Sequence, residues 1–185
     1  SALHVCMLAL GVKPGDELIT TPFSFIATSN SVLMADAKPV FVDINPTTYN
    51  IDIEQIPSKI NGKTKGIVPV EVFGNPDGID DVYELAKKKH LLCIEDSCEA
   101  LGSIAKGRKV GTLGDISVFA FYPNKQMTTG EGGIILTDDD KVAKICQALR
   151  NQGRDPEAGW LAHARLGYNF RLSDINCALG IEQLK

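Results

Sequence analysis

The feature that most constrains the fold of this chain is a repeated alternation between short apolar runs and segments with helical periodicity. The apolar runs predict strands at residues 17–20, 39–44, 66–70, 91–96, 116–121 and 132–137. Several of these runs are apolar on both faces, which is typical of strands inside a parallel sheet. The alternation therefore predicts an α/β domain in which helices cover a largely parallel sheet.

Helical periodicity lies between and after these runs. The clearest helix is predicted over residues 79–90, with Asp77 as its N-cap and an apolar stripe on one face. A second helix is predicted after residues 138–140, and a third after Ser173. Residues 1–11 also carry a helical pattern, so we expect the chain to begin and end within helices.

Composition and charge exclude several classes of protein. The 185 residues are 44% hydrophobic and carry a net charge of -4, and the nineteen Lys and Arg are scattered, so no nucleic-acid footprint is visible. No apolar run approaches the roughly 20 residues that span a bilayer, and no signal-peptide pattern is visible, so we expect a cytoplasmic protein without a membrane partner. The five Cys and three His are not clustered, which predicts reduced thiols and no metal site.

Polar residues follow two of the predicted strands at the edge where ligands bind in open α/β sheets. Glu95 and Asp96 end one apolar strand and point in opposite directions, so one of them can face the crevice. Lys125 follows the strand at 116–121 within four residues. Taken singly, such an Asp is often a cap or ion-pair residue, and such a Lys is usually solvated.

Two further features fall at the same edge. Phe25 follows the strand at 17–20 and is on its own most simply a core residue, while Ser1 and Ala2 open the first helix and offer backbone amides to a phosphate. A lysine, a carboxylate, an aromatic ring and a phosphate-binding helix start are the supports that pyridoxal 5'-phosphate (PLP) requires. The combination predicts a PLP site.

Successive blocks of the sequence resemble the DegT/StrS-type family of PLP-dependent nucleotide-sugar aminotransferases. They cover nearly the whole chain in the family's order, and they read SALHVCMLALGVKPGDELITTPFSFIATSNSV, AKPVFVDINPTTYNID, IEDSCEALGS, VGTLGDISVFAFYPNKQMTTGEGG, LRNQGRD and LGYNFRLSDINCALGIEQL. The resemblance implies a three-layer large domain of fold type I, like that of aspartate aminotransferase, with a mostly parallel mixed sheet. It also implies that residues 1–185 are this PLP-binding domain as a fragment, without the extreme N-terminus and the small C-terminal domain, and inactive as it stands.

The resemblance assigns roles to individual residues. Lys125 corresponds to the lysine that forms a Schiff base with PLP and then shuttles protons, and Asp96 to the carboxylate paired with the pyridinium nitrogen. Glu99 holds a position of Gln or Glu near the ring hydroxyl, and Phe25 falls where an aromatic residue stacks on the ring.

The phosphate contacts match the family less completely. Ser1 and Ala2 match the end of a Gly-Thr-Ser-Ala phosphate loop, and Asn169 matches an asparagine that reaches the phosphate of the neighbouring subunit, which implies a homodimer with shared active sites. Ala120 stands where the family often carries a phosphate-binding Ser. We therefore expect backbone amides, or another hydroxyl such as Ser117, to take over that contact.

The function implied is transfer of an amino group from L-glutamate to a nucleotide-linked keto-sugar, in polysaccharide, O-antigen or amino-sugar biosynthesis. A branch of the family that dehydrates sugars has His in place of the lysine, so Lys125 favours transamination. A PLP-binding regulatory or sensor protein, a sugar dehydratase and an enzyme like the amino-hydroxybenzoate synthases stay open as alternatives. Arg150 and Arg154 either reach a nucleotide phosphate or cap a helix end, and Trp160 suits a mobile active-site loop or a dimer contact.

Overall fold

The computed structural model describes residues 1–155, 157, 159 and 161–185, so the prediction for Trp160 lies outside the described residues. Six strands form one sheet in the order β2-β1-β3-β4-β7-β8. The strands of this sheet are β1 (Glu17–Thr20), β2 (Lys38–Phe41), β3 (Thr64–Ile67), β4 (Leu92–Asp96), β7 (Ile116–Ala120) and β8 (Gly133–Leu136). All neighbouring pairs are parallel except β7 and β8, so the predicted mostly parallel mixed sheet is confirmed. A separate antiparallel hairpin joins β5 (Ile104–Ala105) to β6 (Arg108–Lys109).

Helices cover both faces of the sheet. The described helices are α1 (Ala2–Ala9), α2 (Ala27–Met34), α3 (Ile56–Lys59), α4 (Ile79–Lys88), α5 (Asp140–Arg150) and α6 (Asp174–Gln183). One core cluster packs α1, α2 and α5 against sheet residues that include Leu18 and Ile94. The other packs α3 and α4 against their strand neighbours Ile19 and Cys93. Because adjacent strand residues point to opposite faces, each of these strands is buried on both sides.

Several predicted boundaries move for local physical reasons. The apolar run at 66–70 is a strand only to Ile67, because Pro69 has no N–H to donate to the ladder. Asp77 was wrong as the N-cap of α4; that position is held by Gly78, whose φ of 86° suits glycine. Helix α2 was not predicted, because its residues ATSNSVLM are rich in Ser, Thr and Asn, which have low helix propensity. None of the described helices has the length and apolar character needed to cross a membrane.

Candidate active site

The end of β4 carries two buried carboxyl groups that face opposite ways. Asp96 is 5% exposed, and its Oδ2 accepts a hydrogen bond of 2.6 Å from the Thr28 hydroxyl in α2. The Ser24 hydroxyl lies 2.8 Å from the Thr28 Oγ1 and extends this chain of hydroxyls. The Asp96 carboxylate is therefore held in one orientation by a helix that periodicity did not predict.

Glu95 serves the fold on the other face of the sheet. Its carboxylate accepts backbone N–H bonds from Gly111 and Leu113 at 2.9 and 2.8 Å and a third bond from Gly114, so it fastens the 111–114 loop. The predicted opposite orientation of Glu95 and Asp96 is confirmed.

We expect Glu95→Ala to lower the free energy of unfolding by about 3 kcal/mol, because it leaves buried N–H groups without an acceptor. Denaturant unfolding of the variant measures this change, with the exposed Glu84→Ala in α4 as the control. Equal unfolding midpoints for the two variants would show that the loop does not depend on Glu95.

Lys125 lies in a turn after β7, where its backbone N–H donates to the Tyr122 carbonyl. Its Nζ donates to Glu99 Oε1 at 3.1 Å, and the other oxygen of Glu99 accepts from the Phe73 backbone N–H at 2.9 Å. The Lys125 side chain is largely buried, whereas that of Glu99 is more exposed. Glu99 therefore orients the amine from a second segment of the chain.

Cys98 links these two parts of the site. Burial raises the pKa of the Cys98 thiol, the Asp96 charge raises it further, and the Lys125 charge lowers it. Both charged groups therefore lie close to one thiol. Cys98 also lines the groove described next, whereas Asp96 and Lys125 are not among the described residues that line it.

An open groove of about 1050 Å³ collects the other predicted residues. Ser1, Ala2, Phe25 and Asn169 all line it, although they come from separate parts of the chain. The Phe25 side chain is 78% exposed, so one aromatic face is available to a ligand. The structure thus brings these four predicted residues to one groove, while the contact of Asn169 with a neighbouring subunit stays a prediction.

Of the two substitutes that the sequence suggested for the phosphate contact, the Ser117 hydroxyl is engaged elsewhere, and the backbone amides stay a prediction. Ala120 lines the groove, but Ser117 is buried and its hydroxyl donates to the Gly111 carbonyl at 2.7 Å. The prediction for Ser117 was therefore wrong. Strand residues an odd number of positions apart point to opposite faces of the sheet, and Ser117 lies three positions before Ala120 on β7. Sequence reasoning also missed Ser24 and Thr28, although the run TPFSFIATSN contained the signal.

A second cavity of about 490 Å³ is lined by arginines, and Arg150 borders both cavities. Arg154 and Arg171 also line it, and Arg171 donates to the Asn151 side chain at 3.0 Å. Arg150 is the last residue of α5. Its position is therefore compatible with both predicted roles, capping the helix end and contacting an anion.

The chain was compared with known proteins. A family model for the DegT/DnrJ/EryC1/StrS aminotransferase family matches residues 1–185. GDP-perosamine synthase from Caulobacter vibrioides is 42% identical over 185 residues, which cover 100% of this chain and 50% of that relative. A pleiotropic regulatory protein from Geobacillus stearothermophilus is 42% identical over 179 residues, which cover 96% of this chain and 47% of that protein. The chain spans about half the length of these curated relatives.

Solved structures also match nearly the whole chain. The structure of NtdA from Bacillus subtilis with bound cofactor PMP has a TM-score of 0.92 and 33% sequence identity, and the match covers 99% of this chain and 41% of that one. This match, together with the family model, confirms the predicted fold class of an aminotransferase large domain.

Proposed function

The chain belongs to the DegT/DnrJ/EryC1/StrS aminotransferase family, and we propose that the full-length protein uses PLP to move an amino group from L-glutamate to a nucleotide-linked keto-sugar. One observation carries the proposal. The buried Asp96 ends β4, and Lys125 follows β7, its neighbour in the sheet, while Cys98 and Ala120 from these two segments line the groove that also holds the exposed Phe25 ring. A buried carboxylate and a largely buried amine are each costly for stability, and such groups are typical of a functional site.

The residues present fit PLP. Asp96 presents a buried carboxylate, held by Thr28, which would pair with a protonated ring nitrogen. The exposed face of Phe25 would cover the ring, and the N–H groups at the start of α1, next to Ser1 and Ala2, would receive the phosphate. The relative of known structure named above was solved with PMP, the amino form of the same cofactor.

Lys125 and Asp96 would have different roles in the reaction. When bound, PLP supplies an electron-poor ring that accepts negative charge from the substrate carbon. Lys125 would anchor the cofactor through Nζ and, once free, hold and release a proton at the Cα of the amino donor. Glu99, 3.1 Å from Nζ, would orient the amine, and Asp96 would keep the opposite side of the site negatively charged.

The arginine-lined cavity supports an anionic substrate. Arg150, Arg154 and Arg171 present guanidinium groups, which pair well with phosphate oxygens. Arg150 lies between this cavity and the groove, so a diphosphate in the one could carry a sugar into the other. A relative named for a GDP-linked amino sugar fits this chemistry. We extend the proposal to polysaccharide, O-antigen or amino-sugar biosynthesis in the cytoplasm.

We also propose a homodimer in which Asn169 serves the partner's site. The α6 side chains Ile175 and Ile181 are exposed, and a second copy would bury apolar surface of this kind. Light scattering of the full-length protein tests the dimer. A monomer at micromolar concentration would contradict it.

The function is tested in two half-reactions on the full-length protein. Adding L-glutamate to the PLP-loaded protein should shift its absorbance and release 2-oxoglutarate, and a keto-sugar linked to GDP, UDP or dTDP should reverse the shift. An aminated nucleotide-sugar should then be detected by mass spectrometry. A protein that fails to bind PLP, or that exchanges with glutamate but aminates none of the keto-sugars, would overturn the proposal.

A regulatory or sensor protein is the second candidate, favoured by the relative named as a pleiotropic regulatory protein. Such a protein would bind PLP and turn yellow but show no exchange with glutamate. The dehydratase and amino-hydroxybenzoate alternatives would instead give products without an added sugar amine. The same assay therefore separates all of these candidates.

A further inference from the structure

A third buried carboxyl group, Glu71, lies next to the proposed site and has no role in the mechanism above. Its side chain is 1% exposed, and neither carboxyl oxygen has a hydrogen-bond partner among the described residues. The Ser97 hydroxyl lies beside the Glu71 carboxyl. It also lacks a hydrogen-bond partner of good geometry among the described residues. Two unsatisfied buried polar groups next to one another call for an explanation.

The protonation state of Glu71 supplies one. Burial, followed by the charges of Glu95 and Asp96, raises the pKa of Glu71 well above its usual range, and the hydrogen-bonding groups of the Ser97 side chain and the Glu71 backbone act in the opposite direction. Other titratable groups near this cluster include the thiols of Cys6, Cys93 and Cys98, the Asp115 carboxyl beside Cys93 and the Lys125 amine beside Cys98. Glu95 and Asp96 both accept hydrogen bonds of good geometry, whereas neither carboxyl oxygen of Glu71 accepts one from the described residues. Burial without such a partner favours the neutral form of Glu71.

The segment that carries Glu71 touches both halves of the proposed site. Val70 forms a parallel bridge with Asp96, and the Asp96 N–H donates to the Pro69 carbonyl at 3.0 Å. Two residues after Glu71, the Phe73 N–H donates to the Glu99 carboxylate, which in turn accepts from Lys125.

The turn at Val72–Gly74 also packs tightly against the backbone of Glu99. A Cβ added to Gly74, whose φ is 79°, would lie 2.7 Å from the Glu99 carbonyl oxygen. A shift of the turn would therefore displace Glu99 and, through it, the Lys125 amine.

We propose that Glu71 is a positioning residue that stays a neutral carboxylic acid and, by pairing with Ser97, ties the Val72–Gly74 turn to the end of β4. A neutral acid can both donate to and accept from a hydroxyl, whereas an ionised Glu71 would place a third negative charge beside Glu95 and Asp96. The tie holds Asp96 and Glu99 in the arrangement that the site needs. The positioning role of Glu71 rests on the proposed function, because it concerns the PLP site, but the stability and infrared tests below do not require aminotransferase activity.

The first test is the pH dependence of stability. The pKa of Glu71 is higher in the folded state than in the unfolded state, where it is about 4.3, so this group stabilises the fold at low pH. That contribution is lost as the pH rises from the unfolded-state pKa through the folded-state pKa. In this window the folding equilibrium constant of the wild type should fall about tenfold per pH unit relative to Glu71→Gln, which cannot ionise. The exposed Glu84→Gln in α4 should keep the wild-type slope.

The second test detects the proton directly. Infrared spectra of the full-length protein without PLP at neutral pH should contain the carbonyl band of a protonated carboxylic acid. Glu71→Gln should remove the band and Glu84→Gln should keep it. A wild type without such a band, or a stability ratio that does not change with pH, would overturn the proposal. Both measurements are made without cofactor or substrate, so a failure of the proposed aminotransferase activity would leave them unchanged.

The positioning role is tested by PLP affinity. Glu71→Leu fills the same space but cannot pair with Ser97, so PLP should bind about tenfold more weakly, whereas Glu71→Gln should bind within about twofold of the wild type. Equal affinities for Glu71→Leu and the wild type would contradict the role. If Glu71→Leu does not fold, titration to alkaline pH makes the same comparison: PLP affinity should fall more steeply for the wild type than for Glu71→Gln, and parallel curves would contradict the role.

Discussion

Lys125→Ala is expected to lower the rate of transamination by at least about 10⁴-fold while leaving a folded protein that still binds PLP. The variant loses the amine that anchors the cofactor and moves the proton. It retains Asp96, Phe25 and the start of α1, which would hold PLP without a covalent bond. Truncation of the largely buried Lys125 side chain removes the described ion-pair partner of the more exposed Glu99, so we expect a loss of about 1 kcal/mol in the free energy of unfolding and a protein that still folds.

Reductive trapping with borohydride measures this result. Wild-type protein should carry the reduced cofactor on the peptide that contains Lys125, and Lys125→Ala should carry none. The exposed Lys59→Ala at the end of α3 is the matched control and should behave as the wild type. Labelling of another lysine in Lys125→Ala would show that the assignment is wrong.

Asp96→Asn is expected to lower the rate by about 10³-fold, with only a small loss of stability. Asparagine keeps the shape and can still accept from the Thr28 hydroxyl, so the change removes charge rather than packing. Without that charge, a ring nitrogen in the site would lose its proton, and negative charge on the substrate carbon would no longer be stabilised.

Two measurements separate this effect from damage to the fold. The absorbance of bound PLP and its pH dependence should change in Asp96→Asn, while the denaturant midpoint should stay near that of the wild type. Asp139→Asn, which replaces the N-cap of α5 by a similar cap, should alter neither the spectrum nor the rate. A wild-type rate in Asp96→Asn would remove the carboxylate from the proposed mechanism.

The placement of Asp96 and Lys125 could be predicted because it depends on local rules. Strand residues alternate between faces, so Glu95 and Asp96 had to diverge, and parallel strands end at the same edge of the sheet. Lys125 follows directly after such a strand. The resemblance to a family then gave these positions a chemical meaning that periodicity could not supply.

The partners of these residues could not be predicted in the same way. Thr28 contacts Asp96 across 68 positions of sequence, and Phe73 contacts Glu99 across 26. The sequence suggested the Ser117 hydroxyl as an alternative phosphate contact, but on β7 this side chain points to the other face and donates to the Gly111 carbonyl. Each contact depends on which strands are neighbours and how their ends are aligned.

The sequence by itself therefore determined the α/β class, most of the strands and the two charged residues at the strand ends, since each follows from the spacing of apolar side chains along a few consecutive residues. Only the tertiary structure decided that Thr28 holds Asp96, that Glu99 holds Lys125 and that Glu71 lies buried beside Ser97. The physical reason is that hydrogen bonds and burial are properties of groups brought together in space. The strand order β2-β1-β3-β4-β7-β8 brings these groups together, and no local periodicity encodes that order.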